Sequence, residues 1–258
     1  MTQENQVIIY KLKKLAAGPL GETQAKFPLR FAKAVFFGER PSRTKSTLIR
    51  NGTITLVDLG TGPIGVTCAH VIDGYRNLKK IQTNVVCQIG NFEIDPISHL
   101  IAEDKELDLA TLRLSEKEVK AITGEGEIGS CVFKPVEWPS TAAQVGEGAV
   151  FGGFPEFLRV APVFDELEFP SWSSGGSPVT TSCDDRFSCQ FERDNWVCNF
   201  GSKHHMELTA LSGLSGGPAF IHRNFHFDFV GIIYEFSPQY DLLFLRQARL
   251  LNADGSIG

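Results

Sequence analysis

The chain has 258 residues, of which 42% are hydrophobic, so it can bury a large core in one β-rich domain or in two small barrels that share an interface. Its 30 acidic residues outnumber its 25 basic residues, and the formal net charge is −5. A nucleic-acid-binding surface needs a basic stripe, whereas the lysines and arginines here are scattered, so we expect no nucleic-acid partner.

The sequence also predicts the compartment. It has no apolar run of the ~18 residues needed to cross a bilayer, and its first residues lack the basic and apolar regions of a secretory signal. We therefore expect a cytoplasmic protein that does not bind membranes. In a reducing compartment its six cysteines are expected to be free thiols.

Short apolar or alternating runs bounded by glycine, asparagine and proline predict β-strands through most of the chain. We expect an N-terminal extension over 1–32, an N-terminal β-barrel over 33–125 and a C-terminal β-barrel over 126–258. In the first barrel, strands are predicted at 34–37, 53–57, 61–67, 85–89, 92–94 and 107–114, followed by a charged linker at 115–129.

The second barrel is predicted in less detail. Strands are expected at 131–133, 148–151 and 225–233. The region 156–206 is richer in serine, aspartate, cysteine and aromatic residues than a barrel requires, so we interpret it as elongated hairpins or an insertion near the site. The tail over 240–252 fits either a helix or a strand.

The most informative stretch of the sequence is Gly213-Leu214-Ser215-Gly216-Gly217-Pro218. A serine with glycines two before it and one after it needs a turn that residues with a Cβ resist, and such a turn aims the Ser215 hydroxyl outward. The amides of Gly213 and Ser215 then converge as an oxyanion hole, which stabilises negative charge on a carbonyl oxygen under attack. A second Ser-Gly-Gly, at Ser174, has Trp172 in place of the first glycine, and we interpret it as a flexible loop.

Two further motifs precede this one, Thr67-Cys68-Ala69-His70 and Asp108-Leu109-Ala110. The three motifs together, in this order, resemble the trypsin/chymotrypsin-like serine peptidases, with a likeness to stand-alone peptidases of the prokaryotic type. The resemblance covers residues 33–236. It implies an all-β fold of two six-stranded antiparallel β-barrels with the active site between them, a protein or peptide substrate, and no cofactor.

The resemblance also implies a role for each motif. Ser215 would attack the peptide carbonyl, His70 would act as general base and then as general acid, and Asp108 would orient His70. Secreted relatives have a cysteine directly after this histidine, whereas Val71 follows His70 here, which favours the intracellular interpretation. Leu214 replaces the aspartate that pairs with a newly cut N-terminus in zymogen-derived members, so we expect a site that forms without such activation.

The residue pattern favours Asp108 over Asp104 as the acid. In an extended strand, Asp108 shares a face with Ala110 and Leu112, and a carboxylate on an apolar face is costly unless another group uses it. Asp104 lies in a run of charged residues that we interpret as a solvated turn. The nucleophile elbow of α/β-hydrolases also fits G-x-S-x-G, but too few residues follow Ser215 for its helix, acid and histidine.

The specificity pocket is predicted by counting from Ser215. Thr209 falls at the pocket base, where peptidases that cut after Arg or Lys have an aspartate, and Tyr234 and Phe236 fall on its wall. A buried cation without a partner costs several kcal/mol, so we expect no preference for basic residues. Glu235 and Asp228, on the neighbouring strand, are the two carboxylates that would alter this preference if they entered the pocket.

The sequence also allows alternatives to the peptidase, namely a metal site and two other functions. Cys183, Cys189 and Cys198, followed by His204 and His205, lack the paired C-x₂₋₄-C spacing of structural zinc sites. We therefore expect reduced thiols or one local disulfide there, and no metal. A binding or regulatory protein on the same fold would recognise its partner through the region 156–206. A general esterase would use the same acyl-transfer machinery.

Overall fold

Two antiparallel β-sheets, one from each half of the chain, make up the fold. The structure is a computed structural model and describes residues 18–40, 49–124, 131–163, 166–191, 196–198 and 211–258. The first sheet has seven strands in the order β5-β4-β1-β2-β3-β7-β6. They are β1 Ala32–Glu39, β2 Ile49–Asp58, β3 Pro63–Thr67, β4 Val85–Ile89, β5 Phe92–Glu93, β6 Leu100–Asp104 and β7 Leu109–Arg113.

The second sheet contains a closed ring of six strands, in the order β8-β11-β12-β16-β15-β14, with β13 paired to β11 outside the ring. A separate two-stranded sheet is formed by β9 and β10. The strands are β8 Gly148–Gly153, β9 Val160–Val163, β10 Glu166–Glu168, β11 Trp172–Ser182, β12 Arg186–Gln190, β13 Trp196–Cys198, β14 Pro218–Arg223, β15 His226–Ser237 and β16 Leu242–Gln247.

The two sheets share one strand order. When the short β5 is left out of the first half and only the six ring strands of the second are counted, the pairings match. In each set the first strand pairs with the second and the fourth, the second with the third, the third with the sixth, and the sixth with the fifth. The second half also has the pair that closes the ring, between β14 and β15, whereas no corresponding pair joins β4 to β6 in the described part of the first half. The predicted all-β fold of antiparallel sheets is confirmed, and the second half closes as a six-stranded barrel.

The two halves meet through an apolar core. Phe220 of β14 and Phe229 of β15 lie in the same buried cluster as Leu56 of β2. Phe133, which precedes the second sheet, packs edge-on against Phe220 with 4.8 Å between the ring centroids. Large buried aromatic side chains thus supply much of the apolar contact between the two sheets.

Residues from the expected N-terminal extension take part in this core. Helix α1 (Pro19–Lys26) is followed by a 3₁₀ helix over Phe27–Arg30. The Phe27 ring stacks on Phe227 with a centroid distance of 4.0 Å, and Phe31 is buried. The described end of the extension therefore covers the junction of the two sheets.

Ser174, interpreted from the sequence as part of a flexible loop, lies inside β11, and that interpretation is wrong. Its side chain is fully buried, and its hydroxyl lies 3.0 Å from that of Ser177. The pairing of β11 with β8 shifts register between these two serines, and Gly176 has φ +73° there. The glycines thus accommodate a β-bulge in a buried strand. The region 156–206 contributes β11 and β12, two strands of the closed ring.

The predicted linker at 115–129 contains helix α3 (Glu116–Thr123), which was not expected. The tail over 240–252, for which the sequence left a helix and a strand open, forms strand β16 and a short 3₁₀ helix, Ala248–Leu250. A third helix, α2 (Ala69–Ile81), follows β3. None of the helices within the described ranges combines the length and apolar character needed to cross a membrane.

Helix α3 begins with a capping box that also binds a histidine. The Ser115 hydroxyl accepts from the Glu118 amide, the Glu118 carboxylate accepts from the Ser115 amide, and Glu118 lies 2.9 Å from His99 Nε2. The hydrogen bonds from Ser115, followed by the interaction with His99, lower the pKa of Glu118 to about 2. Burial opposes the His99 charge, but its hydrogen bonds to the Asp95 carbonyl and Glu118 outweigh burial and raise its pKa above 6.5.

We expect Glu118→Gln to lower the free energy of unfolding by about 1–2 kcal/mol at pH 5.5. Because the pKa of Glu118 is depressed in the folded protein, the stabilisation by its carboxylate is fully present above pH 4.5 and is lost as the pH falls towards 2. Because the pKa of His99 is raised, the stabilisation by its cation is fully present below pH 6.5 and is lost at higher pH. Urea unfolding across this pH range checks the profile, with Glu116→Gln, on the same helix, as the control. A difference independent of pH would contradict the ion pair.

Candidate active site

The loop that contains Ser215 requires glycine at two positions. Gly213 and Gly216 have φ values of +94° and +93°, in the region where a side chain is strained. A Cβ on Gly216 would also lie 1.9 Å from the carbonyl oxygen of Thr53, so no other residue fits without moving β2. The glycines of the sequence motif therefore let this loop approach the first half of the chain closely.

Thr53 and Thr55 of β2 hold this loop across the boundary between the halves. The Thr53 amide donates to the carbonyl of Ser215 at 2.8 Å, and the Thr53 hydroxyl donates to the carbonyl of Gly213 at 2.7 Å. The Thr55 hydroxyl donates to the carbonyl of Gly216 at 2.7 Å. Because both threonines are fully buried, these hydrogen bonds are made away from competing water.

The opposite side of the loop is held by β15. The Gly216 amide donates to the carbonyl of Ile233 at 2.8 Å, and the Ile233 amide donates to the carbonyl of Gly217 at 2.9 Å. Among the described residues, the amides of Gly213 and Ser215 have no hydrogen-bond acceptor. Within the described ranges, the loop carbonyls are thus occupied, whereas the two N–H groups proposed for the oxyanion hole are not.

His70 is the second residue of α2, and Asp108 fixes both its backbone and its ring. The His70 amide, which has no acceptor within the first helical turn, donates to Asp108 Oδ1 at 2.9 Å. The ring Nδ1 lies 2.6 Å from Asp108 Oδ2. A carboxylate only accepts hydrogen bonds, so Nδ1 carries a proton and Nε2 is left as the basic ring nitrogen.

Asp108 reaches His70 for a reason other than the one inferred from the sequence. Asp108 is in a left-handed turn, with φ +52°, immediately before β7, so it is not on a face of the strand. Residues 109–112 of β7 are buried on both faces, and strand parity therefore cannot select Asp108. Aspartate is one of the few residues that tolerate this conformation. Asp104 caps the same turn and does not contact His70.

A cleft of ≈ 330 Å³ opens beside the loop, and both His70 and Ser215 line it. Ser215 is half-buried, and no side chain among the described residues accepts a hydrogen bond from its hydroxyl. Tyr234 and Phe236, predicted for the pocket wall, line the same cleft. Thr209, predicted for the pocket base, lies outside the described residues.

The two carboxylates considered for the pocket lie in different places. Asp228 is paired with Arg223 at 3.2 Å and with His226 at 2.9 Å, so its charge is already matched. Glu235 is exposed and lines the cleft. A carboxylate is thus present at the cleft wall, although Asp228 does not supply it.

Cys68 is the one thiol near this histidine in the described part of the chain. It is fully buried, and its Sγ donates to the carbonyl of Ile233 at 3.2 Å. Burial raises the pKa of the Cys68 thiol well above its usual range, and the negative charge of Asp108 raises it further. A thiol that remains protonated and inaccessible is a poor nucleophile, so Cys68 does not compete with Ser215 as the candidate nucleophile of the cleft.

The other histidines and the cysteine cluster do not compete with this site in the described residues. His99 binds Glu118, and His226 binds Asp228. The Cys189 side chain is buried, whereas the Cys183 side chain is exposed. The side chains of the remaining members of the predicted cluster, Cys198, His204 and His205, lie outside the described residues.

Sequence reasoning did not identify Thr53 or Thr55 as part of the site. Thr53 and Gly213 are 160 positions apart, and a threonine in a strand is an ordinary residue for that position. A single sequence carries no signal that would pair them. By contrast, Gly213 and Gly216 are identified because their backbone requirement is local.

We expect Gly216→Ala to destabilise the protein more than Gly146→Ala. Both glycines have φ near +90°, so both substitutions incur about 1–2 kcal/mol of backbone strain. Only at Gly216 does the new Cβ meet another atom, the Thr53 oxygen, which adds about 1–3 kcal/mol of overpacking. Chemical denaturation of both variants measures the difference, and equal losses would contradict the close approach of the loop to β2.

No protein-family model and no curated protein matches the sequence. Among solved structures, the chain is similar to the active form of the Rv3671c protease from M. tuberculosis, with 15% identity, a TM-score of 0.44, and coverage of 90% of this chain and 82% of that chain. It is similar to the catalytically inactive tobacco etch virus protease complexed with substrate, with 11% identity, a TM-score of 0.45, and coverage of 86% and 80%. The active form of that protease complexed with product gives 11% identity, a TM-score of 0.45, and coverage of 90% and 77%.

Proposed function

We propose that this protein is a serine endopeptidase that hydrolyses peptide bonds through Ser215, His70 and Asp108. The observation that carries the proposal is the 2.6 Å contact between Asp108 and His70 Nδ1, which leaves Nε2 as the base in a cleft that Ser215 also lines. The unoccupied amides of Gly213 and Ser215 supply the second requirement of acyl transfer, a place for negative charge.

The reaction begins when His70 Nε2 takes the proton of Ser215 and Oγ bonds to the substrate carbonyl carbon. The carbonyl oxygen becomes an oxyanion, which the amides of Gly213 and Ser215 stabilise. His70 then gives its proton to the leaving amine as the C–N bond breaks, and an acyl-enzyme remains. A water molecule repeats the sequence, with His70 as base, and releases the acid and free Ser215. Asp108 stabilises the His70 cation in both halves of the cycle.

The substrate is proposed to be a protein or a peptide with an uncharged residue at the cleaved bond. Tyr234 and Phe236 give the cleft wall an aromatic surface, which suits an apolar side chain. Glu235 is exposed rather than buried at the base of a closed pocket, so it does not supply the desolvated partner that Arg or Lys would need.

An intracellular, cytoplasmic setting is part of the proposal. The five cysteines that the structure describes are all free thiols, including the buried Cys68, Cys87 and Cys189. Free thiols in this number are usual in reducing compartments and unusual in secreted proteins of this size.

Labelling with a fluorophosphonate tests the proposal, because the probe reacts with an activated serine. We expect one adduct, on Ser215, and Ser215→Ala should abolish labelling and lower peptide turnover by about 10⁶-fold, as the loss of a triad nucleophile does. Ser212→Ala is the matched control, since Ser212 is exposed in the same cleft and should leave labelling intact. An adduct that persists in Ser215→Ala would refute the assignment.

Labelling, combined with assays on activated esters and on a diverse peptide library, separates the other two functions from the peptidase. A general esterase would be labelled at Ser215 and would hydrolyse activated esters but not a diverse peptide library. A binding or regulatory protein would be neither labelled nor active on either substrate, despite a folded cleft.

A further inference from the structure

Arg246 of β16 is only 7% exposed, and the proposed reaction gives it no role. Its guanidinium reaches from the second half of the chain into the first. Nε donates to the carbonyl of Leu107 at 2.6 Å, and Nη2 donates to the carbonyl of Glu106 at 3.1 Å. The Leu107 carbonyl belongs to the peptide bond that leads directly into Asp108, so Arg246 holds the backbone that carries the carboxylate.

The guanidinium is itself fixed by two further contacts. Nη1 donates to Asp185 Oδ2 at 2.6 Å, and the guanidinium carbon lies 4.3 Å from the centroid of the Tyr234 ring. A buried cation is costly unless its charge is paired and its donors are satisfied. Arg246 therefore cannot move without losing a paired charge, a ring contact and two carbonyl hydrogen bonds at once.

The turn before Asp108 is held on two sides by different halves of the protein. Asp104 Oδ1 accepts from the amides of Glu106 and Leu107, at 2.9 and 2.8 Å. The carbonyls of the same two residues accept from Arg246. Asp104 belongs to the first half, whereas Arg246 belongs to the half that carries Ser215. The contacts of Arg246 thus set the position of the acid relative to the nucleophile.

We propose that Arg246 is a positioning residue that places Asp108, and through Asp108 the His70 ring, relative to Ser215. The inference rests on the proposed function of these three residues. It requires a guanidinium, because a lysine ammonium has no rigid fork that bridges two carbonyls and a carboxylate while lying on an aromatic ring.

The rate of fluorophosphonate labelling at Ser215 measures this effect. We expect Arg246→Met to slow labelling by about 10–100-fold, because a displacement of about 1 Å between reacting groups has that cost. Arg249→Met is the matched control, since Arg249 binds only Asp184 among the described residues and is exposed. The control should label at a rate close to that of the wild type. Arg246→Lys, which keeps the charge but not the fork, replaces Arg246→Met if the latter does not fold and should also be slower than the control.

A double-mutant cycle distinguishes positioning from general destabilisation. Asp108→Asn alone should lower the rate by about 10⁴-fold through loss of the correct His70 tautomer. If Arg246 acts through Asp108, adding Arg246→Met to Asp108→Asn should cause no further loss. Two effects that multiply independently would overturn the proposal.

The proton NMR signal of the His70 Nδ1–H group gives a readout that does not depend on turnover. The 2.6 Å contact with Asp108 should shift this signal far downfield in the wild type. We expect the signal to move or disappear in Arg246→Met and to persist in Arg249→Met. If the wild type is labelled, and Arg246→Met has the same NMR signal and the same labelling rate as the wild type, the inference about Arg246 is overturned while the proposed function stands. An unlabelled wild type would overturn the proposed function, and the NMR signal would still decide whether Arg246 positions Asp108.

Discussion

The site depends on the contact between Thr53 of β2 and the loop that carries Ser215. The amide and hydroxyl of Thr53 donate to the carbonyls of Ser215 and Gly213, and the hydroxyl accepts from the Phe154 amide at 3.0 Å. All three hydrogen bonds cross from one half of the chain to the other. Two of them occupy carbonyls of the Ser215 loop, and the third joins Thr53 to the residue after β8. The conformation of the loop that carries Ser215 therefore depends on the packing of the two halves.

The charged side chains near the cleft also come from both halves of the chain. Asp108 lies in the turn immediately before β7 in the first half, where its carboxylate accepts from the amide at the N-terminus of α2 and binds the His70 ring. Arg246 approaches that turn from the second half. His70 and Asp108 both belong to the first half, whereas the backbone of the turn before Asp108 is also bound by Arg246 of the second half. The position of the His70–Asp108 pair relative to Ser215 therefore depends on how the two halves pack together.

The parts of this site that were predictable from the sequence are those with local requirements. Gly213 and Gly216 predict a left-handed turn, and the order of the three motifs can be read from the sequence. The position of Asp108 was predicted for an incorrect reason, because β7 is buried on both faces and Asp108 precedes it. Thr53 contacts a residue 160 positions away, and Arg246 contacts a residue 139 positions away. No local sequence pattern predicts contacts between residues so far apart. The glycines after Ser174 gave an incorrect prediction, because they accommodate a β-bulge in a buried strand, and a bulge and a flexible loop have the same local sequence pattern.

The most direct test compares Thr53→Val with Thr111→Val. Thr111 is equally buried, and its hydroxyl donates to the Gly255 carbonyl at 2.6 Å, away from the Ser215 loop. Both variants should lose about 1–3 kcal/mol of stability, because each leaves a buried carbonyl without its donor. In fully folded protein, we expect Thr53→Val alone to slow fluorophosphonate labelling of Ser215 by about tenfold or more, since only that variant frees the loop that orients the nucleophile and both amides. Labelling of folded Thr53→Val at the rate of Thr111→Val would show that the contact across the two halves does not hold the site together.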